Sequence, residues 1–311
     1  IIDSDMTGEN MKAKIVGVEY YGMDYDLEES MRELEALCQA CDIEVKAQMI
    51  QKLDHIESAT YIGTGKVKEL KNLCDEDDLV IFNEELSPLQ VTNLGDLLEV
   101  DVRDRTDLIL KIFESRAKTN EAKLQVKIAK YQYLLPRLVG MNESMSGQMG
   151  GSGFRGSGEK QIELDRRKIH RELQKAKQDL KQMVLSRQTQ RNRRKNNKEK
   201  IVALVGYTNS GKSSLMNYFI EQSKLNDKMV LQKDMLFATL ETSTRKVKLN
   251  NNKSFLLTDT VGFINQLPHH LVQAFRSTLE EVKEADLILQ VVDSSSAYYE
   301  QHIQVTNQVL E

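Results

Sequence analysis

The chain has 311 residues, 40% of them hydrophobic and 29% charged, which is the composition of a globular protein long enough for two or three domains. No apolar run approaches the roughly 20 residues that a helix needs to cross a bilayer, and the polar, acidic N-terminus is not a targeting peptide. These features predict a cytoplasmic protein without a membrane span.

Charge is distributed very unevenly along the chain. The net charge of −4 divides into −14 over residues 1–120, +12 over residues 121–200 and −2 over residues 201–311. Segregation of this kind indicates three functional segments, and the positive excess in the middle segment favours a polyanionic partner there.

The first segment alternates short β-branched runs with helical patterns. We predict strands at residues 14–18, 43–49 and 79–82, and helices at residues 27–41, 66–73 and 88–98. Such alternation is typical of an open α/β layer with mostly parallel strands, and residues 12–105 are therefore assigned to an N-terminal α/β subdomain. After the second strand, Gly63-Thr64-Gly65 forms either a tight turn, which we favour, or a contact with phosphate or RNA.

The three cysteines do not indicate a disulfide framework, because the set is odd and sparse. Cys38 and Cys41 form a C-x-x-C within a predicted amphipathic helix, and no second pair follows at the spacing of a zinc site. We interpret both as buried thiols. The adjacent His269 and His270 lack an H-E-x-x-H pattern and are interpreted as structural or surface residues.

The middle segment, residues 106–195, is predicted to be a helical hairpin. Apolar residues recur at helical spacing over residues 106–135, Pro136 ends that helix, and a second long helix covers residues 159–191. The connecting tip loop, residues 137–158, is rich in glycine. It is far longer than the roughly two to five residues that join two helices in a simple hairpin.

The hairpin is either a coiled-coil spacer with solvated basic faces or an arm that contacts folded RNA. Its positive charges lack the alternating signs of a spacer, and glycines allow a backbone to approach RNA closely, so we favour RNA contact. The candidate RNA contacts are Gly151, Gly153, Arg155, Gly156, Arg166 and Arg167.

The third segment opens with a phosphate-binding pattern. An apolar strand, residues 201–205, leads into Gly206-Tyr207-Thr208-Asn209-Ser210-Gly211-Lys212-Ser213, and a helix over residues 213–220 follows. This is the G-x-x-x-x-G-K-[ST] loop in its required strand and helix context. The loop N–H groups are expected to wrap the phosphates, with Lys212 at the β- and γ-phosphates and the Ser213 hydroxyl on magnesium.

Downstream residues complete the predicted site. A strand over residues 255–258 runs into Asp259-Thr260-Val261-Gly262, where Asp259 is expected to hold magnesium through water and the Gly262 N–H to sense the γ-phosphate. Thr239 offers a hydroxyl that closes over magnesium, and a further strand covers residues 287–292. This order is typical of a GTPase rather than a kinase.

The predicted site residues fall into three groups. The catalytic residues are Lys212, Thr239 and Gly262, and the magnesium ligands are Ser213, Thr239 and Asp259. The GTP- and GDP-binding residues are Gly206, Tyr207, Thr208, Asn209, Ser210, Gly211, Lys212, Ser213, Ser214, Asp259, Thr260, Val261 and Gly262.

Several specific motifs resemble the HflX family of translational GTPases, over nearly the whole chain. They are Asn83-Glu84-Glu85-Leu86-Ser87-Pro88, Asp104-Arg105-Thr106-Asp107-Leu108-Ile109-Leu110, Arg116-Ala117-Lys118-Thr119-Asn120-Glu121-Ala122-Lys123-Leu124-Gln125, Gly156-Ser157-Gly158-Glu159, Asp165-Arg166-Arg167, Gly206-Tyr207-Thr208-Asn209 and Asp259-Thr260-Val261-Gly262-Phe263. Together they are far more specific than a phosphate-binding loop alone.

The resemblance implies an α/β fold made of an N-terminal subdomain, a long helical hairpin and a P-loop GTPase domain. It also implies a GTPase that binds the large ribosomal subunit and splits stalled ribosomes. The hairpin tip would approach rRNA at the peptidyl-transferase centre, where such a factor can affect bound antibiotics. In similar GTPases a loop asparagine, here Asn209, supports a potassium ion at the phosphates. We expect a monomer, partly ribosome-associated.

The chain departs from the family pattern at three places. Ser157 replaces the proline of a common Gly-Pro-Gly-Glu, and Glu241-Thr242-Ser243 replaces Asp-Pro-Thr in the threonine-containing loop. The chain ends at Glu311 before any N-K-x-D guanine-recognition motif. The GTPase domain, residues 196–311, is therefore expected to be partial, in a chain that is part of a longer protein.

Two other functions remain open from the sequence. Phe263 stands where many GTPases place a water-orienting glutamine, which would suit a non-catalytic RNA-binding or ribosome-occupying factor that uses nucleotide as a conformational ligand. A P-loop ATPase is the other, because the guanine-recognition motif is missing.

Overall fold

The computed structural model describes residues 11–76, 78–148, 158–195, 199–223, 236–237, 242–249, 253–268, 271 and 282–310. The chain divides into two compact units, the first made of Ile1–Ile112 and Leu134–Lys168 and the second of Phe113–Tyr133 and Ile169–Glu311. Within the described ranges, no helix combines the length and the apolar character needed to cross a membrane.

The first unit contains a parallel four-stranded sheet covered by helices. Its elements are β1 (Met11–Tyr20), α1 (Leu27–Ala40), β2 (Ile43–Leu53), α2 (Thr64–Leu73), β3 (Leu79–Phe82), α3 (Pro88–Leu98) and β4 (Asp101–Asp104), in the strand order β2-β1-β3-β4. The predicted α/β fold is confirmed, and the predicted strands and helices all form. The prediction missed β4, a short and mostly charged strand that forms because the edge of β3 is available for parallel pairing, with Val102 opposite Val80.

The helices of the first unit begin at recognisable caps. The Asp26 carboxylate accepts a hydrogen bond from the Glu29 N–H at 2.8 Å, and Ser87 forms a reciprocal capping box with Gln90. Gly63 starts α2, and its N–H donates to Gln51 Oε1 at 3.0 Å. This is the strand-to-helix turn that we favoured at Gly63-Thr64-Gly65.

The predicted pair of buried thiols is only half correct. Cys38 is fully buried, and burial raises its pKa to about 12, which makes it an unreactive neutral thiol at physiological pH. Cys41 is partly exposed, and neither cysteine forms a disulfide. His269 and His270 lie outside the described residues.

The middle of the chain forms three helices, α4 (Arg105–Arg116), α5 (Asn120–Gln148) and α6 (Gly158–Lys195). The prediction of a single helix over residues 106–135 is wrong, because α4 ends at Arg116 and α5 begins at Asn120. The Thr119 hydroxyl accepts a hydrogen bond from the Ala122 N–H at 3.2 Å, which caps the start of a new helix.

The prediction that Pro136 ends the helix is also wrong, since α5 continues through it to Gln148. A proline inside a helix removes one hydrogen bond and costs about 3 kcal/mol. The turn that follows is anchored, because Arg137 donates to Asp104 Oδ2 at 2.6 Å and to the Leu86 carbonyl at 2.9 Å.

The tip loop predicted over residues 137–158 is too long at its start, because α5 extends to Gln148. Four of the candidate RNA contacts, Gly151, Gly153, Arg155 and Gly156, lie outside the described residues.

The second unit contains a four-stranded sheet with the strand order β6-β7-β5-β8. Its elements are β5 (Lys200–Val205), α7 (Lys212–Gln222), β6 (Ser243–Lys248), β7 (Ser254–Asp259), β8 (Leu287–Gln290) and α8 (Tyr299–Leu310). Strand β5 pairs in parallel with β7 and β8, whereas β6, which we did not predict, is antiparallel to β7.

The register of β5 and β7 positions the site. Leu204 lies opposite Asp259, so the two strands end at the same edge of the sheet. The loops that leave parallel strands at their carboxyl ends meet there, which is where open α/β sheets bind ligands.

Candidate nucleotide-binding site

The loop from Gly206 to Ser213 joins β5 to α7 in a tight, partly left-handed path. Gly206, Asn209 and Gly211 have φ angles of 150°, 57° and 89°. A Cβ on Gly206 would overlap the Val291 carbonyl, so this position requires glycine for space as well as for conformation. Gly211 is the N-cap of α7, so the positive end of the α7 dipole faces the loop and favours an anion.

The Lys212 side chain is folded into this loop and is only 6% exposed. Its ammonium donates to the Tyr207 carbonyl at 2.5 Å and to the Gly206 carbonyl at 3.1 Å. Burial lowers the pKa of Lys212 to about 8, and the nearby Asp259 carboxylate opposes that shift. Lys212 is thus a cation with a large desolvation cost, which an anionic ligand would offset.

Ser213 and Asp259 are brought together from sequence positions 46 apart. The Ser213 hydroxyl donates to Asp259 Oδ2 at 2.6 Å, and Asp259 is 0% exposed at the end of β7. A hydroxyl and a carboxylate are hard oxygen donors of the kind that Mg²⁺ binds directly or through water. The donor pair therefore fits a magnesium ion at the edge of the sheet.

The segment after Asp259 lies directly on the phosphate-binding loop. The Thr208 N–H donates to the Phe263 carbonyl at 2.6 Å, and the Phe263 N–H donates to the Gly206 carbonyl at 3.1 Å. Between them, a Cβ on Gly262 would lie 2.6 Å from Thr208 Cα and 3.0 Å from Lys212 Nζ. Only glycine permits this approach, so the Gly262 backbone is close to the ammonium that is expected to meet the phosphates.

The other predicted residues are distributed around this centre. The Thr260 hydroxyl donates to the Leu204 carbonyl at 2.6 Å, which joins β7 to β5 behind the loop. Tyr207, Thr208, Ser210 and Val261 are buried, whereas Asn209 and Ser214 are exposed. Thr239, the predicted second hydroxyl for magnesium, lies outside the described residues, as do Ser157 and Glu241.

Phe263 is 5% exposed and belongs to an apolar cluster with Ala203, Val205 and Val282. Its side chain is thus part of the core beside β5. A phenyl ring cannot orient an attacking water in any case, so position 263 does not supply the function of the glutamine that many GTPases carry there.

Sequence reasoning missed three contacts of the loop. The Tyr207 ring stacks on His302 of α8, with centroids 3.8 Å apart, and its hydroxyl accepts a hydrogen bond from the Asn265 N–H at 2.8 Å. The Phe237 N–H donates to the Thr208 hydroxyl at 2.9 Å. No local pattern predicts any of these contacts, because the partners are 29 to 95 residues apart in sequence.

These features define the chain as a protein with a P-loop GTPase domain. A glycine-lined loop that carries a lysine joins a central parallel strand to a helix, a Ser–Asp pair lies beside it, and a D-x-x-G segment lies on it. Three family profiles match the chain. They are described as GTP-binding GTPase N-terminal over residues 28–114, GTP-binding GTPase Middle Region over residues 116–194, and 50S ribosome-binding GTPase over residues 201–311.

Curated relatives specify the family. The GTPase HflX of Alkalihalophilus pseudofirmus is 47% identical over 96% of this chain and 69% of its own length. The GTPase HflX of Caldanaerobacter subterraneus subsp. tengcongensis is 46% identical over 91% of this chain and 65% of its own length. The chain belongs to the HflX family of GTPases, and it spans about two thirds of the length of these relatives.

A solved structure gives a similar result for the fold. A protein described as SsGBP in complex with GDP aligns over 96% of this chain and 78% of its own, with 27% identity and a TM-score of 0.52.

Proposed function

We propose that this chain binds GTP and GDP at the loop of residues 206–213 and hydrolyses GTP with the help of Mg²⁺. The observation that carries the proposal is the contact between the Ser213 hydroxyl and Asp259 Oδ2 at 2.6 Å, beside the buried Lys212. Bound magnesium would neutralise charge on the β- and γ-phosphates. Family membership and a related protein in complex with GDP support the choice of nucleotide.

Each residue of the site has a proposed role in this reaction. Lys212 holds the β- and γ-phosphates by charge, and Ser213 and Asp259 hold magnesium. The Gly262 N–H contacts the γ-phosphate, and Thr239 closes over magnesium when triphosphate is bound. We also propose a potassium ion near Asn209, which is exposed at a φ of 57° in the loop.

The lowered pKa of Lys212 predicts proton uptake when GDP binds. Below pH about 8 the lysine is charged in the free protein, whereas above it the free protein has lost a proton that bound phosphates would restore. We expect an uptake of about three quarters of a proton at pH 8.5 and about a tenth at pH 7, from a pKa of about 8. Calorimetry in two buffers of different ionisation enthalpy measures it, and zero uptake at pH 8.5 would contradict the role of Lys212.

The second part of the proposal is action on the ribosome. We propose that the protein binds the large subunit and its rRNA near the peptidyl-transferase centre, splits stalled ribosomes, and affects antibiotics bound there. Such a factor works in the cytoplasm, as a monomer. The description of the third family profile supports ribosome binding. Hydrolysis would be slow alone and stimulated by the large subunit, since position 263 holds no water-orienting side chain.

The surface of α6 supports contact with RNA. Ile169, Leu173 and Ala176 form a buried stripe at helical spacing. The basic residues before, between and directly after them are exposed; they are Arg166, Arg167, Lys168, Arg171, Lys175 and Lys177. A helix with one apolar face and one strongly basic face can pack on its own protein and still present cations to phosphates.

The test is co-sedimentation with large ribosomal subunits across a salt series. Removing two phosphate contacts with Arg166→Ala and Arg167→Ala should lower the slope of log affinity against log salt by about 2, with GDP affinity unchanged. The matched control is Lys52→Ala with Lys71→Ala, which removes two exposed lysines paired with Glu19 and Glu99 in the acidic first unit. Equal slopes for the two double variants would identify α6 as a spacer.

A further inference from the structure

The side chain of Tyr207 is fixed at two points by parts of the second unit that lie outside the phosphate-binding loop. Its ring stacks on the His302 ring of α8, with centroids 3.8 Å apart and an interplanar angle of 12°. Its hydroxyl accepts a hydrogen bond from the Asn265 N–H at 2.8 Å. Tyr207 is 5% exposed, so the ring has little freedom to leave this position.

The backbone of the same residue belongs to the phosphate-binding site. The Tyr207 carbonyl accepts a hydrogen bond from the Lys212 ammonium at 2.5 Å, next to the Gly206 carbonyl at 3.1 Å. Tyr207 also pairs with Phe263, directly after the D-x-x-G segment, in a parallel bridge. A displacement of Tyr207 would therefore move an acceptor of the buried lysine and the contact between the loop and the D-x-x-G segment.

The helix that carries His302 is itself anchored in the core of the second unit. The Thr306 hydroxyl donates to the His302 carbonyl at 2.8 Å, and Thr306 is 1% exposed. One residue earlier, Val305 packs against the apolar cluster that includes Val205 and Phe263. The core that supports the loop thus also holds α8, and the His302 ring is presented from a fixed turn.

We propose that His302 is a positioning residue of the nucleotide site, which acts through the Tyr207 ring to hold the phosphate-binding loop and the Lys212 ammonium in place. This inference rests on the proposed GTP and GDP site. The loop N–H groups bind the α- and β-phosphates, which GDP and GTP share, so the stack affects the affinities for both nucleotides by the same factor. Helix α8, which carries no part of the phosphate-binding motif, thereby contributes to nucleotide binding.

The experiment measures the affinities of GDP and of a non-hydrolysable GTP analogue for the full-length protein. In His302→Ala, the loss of one aromatic stack should weaken the binding of both nucleotides about fivefold. His302→Phe restores a ring against Tyr207 and should recover most of the affinity. His302→Leu supplies an apolar side chain without a ring and should remain close to His302→Ala.

A double-mutant cycle separates the positioning role from a general effect on the fold. If His302 acts through the Tyr207 ring, Tyr207→Leu combined with His302→Ala should bind GDP no more weakly than Tyr207→Leu alone. A residue that only stabilised the fold would lower the free energy of unfolding and leave the GDP affinity of the folded protein unchanged. Denaturant unfolding of each variant provides that comparison.

Gln304→Ala is the matched control, because Gln304 is exposed on the same helix. It should leave both affinities unchanged. Unchanged GDP affinity in His302→Ala, no recovery in His302→Phe, or additive losses in the double variant overturn the positioning role. If the unchanged protein binds neither nucleotide, the proposed GTP site itself is wrong, and that outcome is distinguishable from the others.

Discussion

Lys212→Met is expected to weaken GDP and GTP binding by at least about 100-fold. The substitution keeps an unbranched side chain of similar length but removes the cation that we propose faces the β- and γ-phosphates, and a charged hydrogen bond to phosphate contributes roughly 1.5–3 kcal/mol. Two such bonds give a loss of this order. Titration with a fluorescent GDP analogue measures it.

The same variant should be more stable than the unchanged protein when no nucleotide is present. The pKa of Lys212 is lowered from 10.5 to about 8, so folding disfavours its charged form by roughly 3 kcal/mol below pH 8, and that penalty disappears as pH rises towards 10.5. The bonds from the ammonium to the Gly206 and Tyr207 carbonyls offset part of it. We expect a net gain of about 1–2 kcal/mol at pH 7, measured by denaturant unfolding.

Lys200→Ala is the control, since Lys200 is exposed at the opposite end of β5 and pairs with Asp286 at 2.6 Å. It should leave nucleotide affinity unchanged and lower the free energy of unfolding by at most about 1 kcal/mol, the usual contribution of an exposed ion pair. Near-normal GDP affinity in Lys212→Met would refute the assignment of this loop as the phosphate site.

Asp259→Asn is expected to reduce GTP hydrolysis by at least about 100-fold. Asp259 is fully buried and accepts a hydrogen bond from the Ser213 hydroxyl. In the variant, an amide NH₂ group replaces one carboxylate oxygen, so the side chain loses its negative charge and one of its two possible metal ligands. Loss of a preorganised charge at the transferring phosphoryl group typically costs two to three orders of magnitude, so the estimate is about 100- to 1000-fold. Binding of GDP without magnesium should change far less.

Steady-state hydrolysis at several magnesium concentrations tests this expectation. The variant should need more magnesium for half-maximal rate, which a general loss of stability would not produce. Asp286→Asn removes a carboxylate from the opposite end of the sheet, where Asp286 accepts the Ile201 N–H at 2.9 Å, and should leave the magnesium dependence unchanged. An unchanged rate in Asp259→Asn would show that magnesium is held elsewhere.

The elements with a strong local signal were predictable from sequence. The strand before Gly206 is continuously apolar, and the loop motif specifies glycine, lysine and serine at fixed spacing. The capping box likewise marks the start of α3 with two residues only three positions apart, Ser87 and Gln90. Each of these signals depends on residues close together in sequence, so it does not need the tertiary structure.

The failed predictions involve distant partners. Pro136 is a helix breaker by local rules, yet α5 passes through it where Arg137 is bound by Asp104, 33 residues away. Strand β4 is mostly charged, and only its pairing with β3 makes it a strand. Local propensity is a weak influence, of less than about 1 kcal/mol for most residues, and tertiary contacts override it.

The sequence by itself determined the class of chemistry: a phosphate-binding loop, a D-x-x-G segment, and a strongly basic helical middle, each carried by residues at fixed spacing. Only the tertiary structure decided how these parts meet. The parallel register of β5 and β7 brings Ser213 to Asp259, burial lowers the pKa of Lys212, and α4 contacts the chain at Phe237. Contacts between residues far apart in sequence, and the burial and electrostatic interactions that shift a pKa, arise only when the chain folds, because none of them is a property of a local segment.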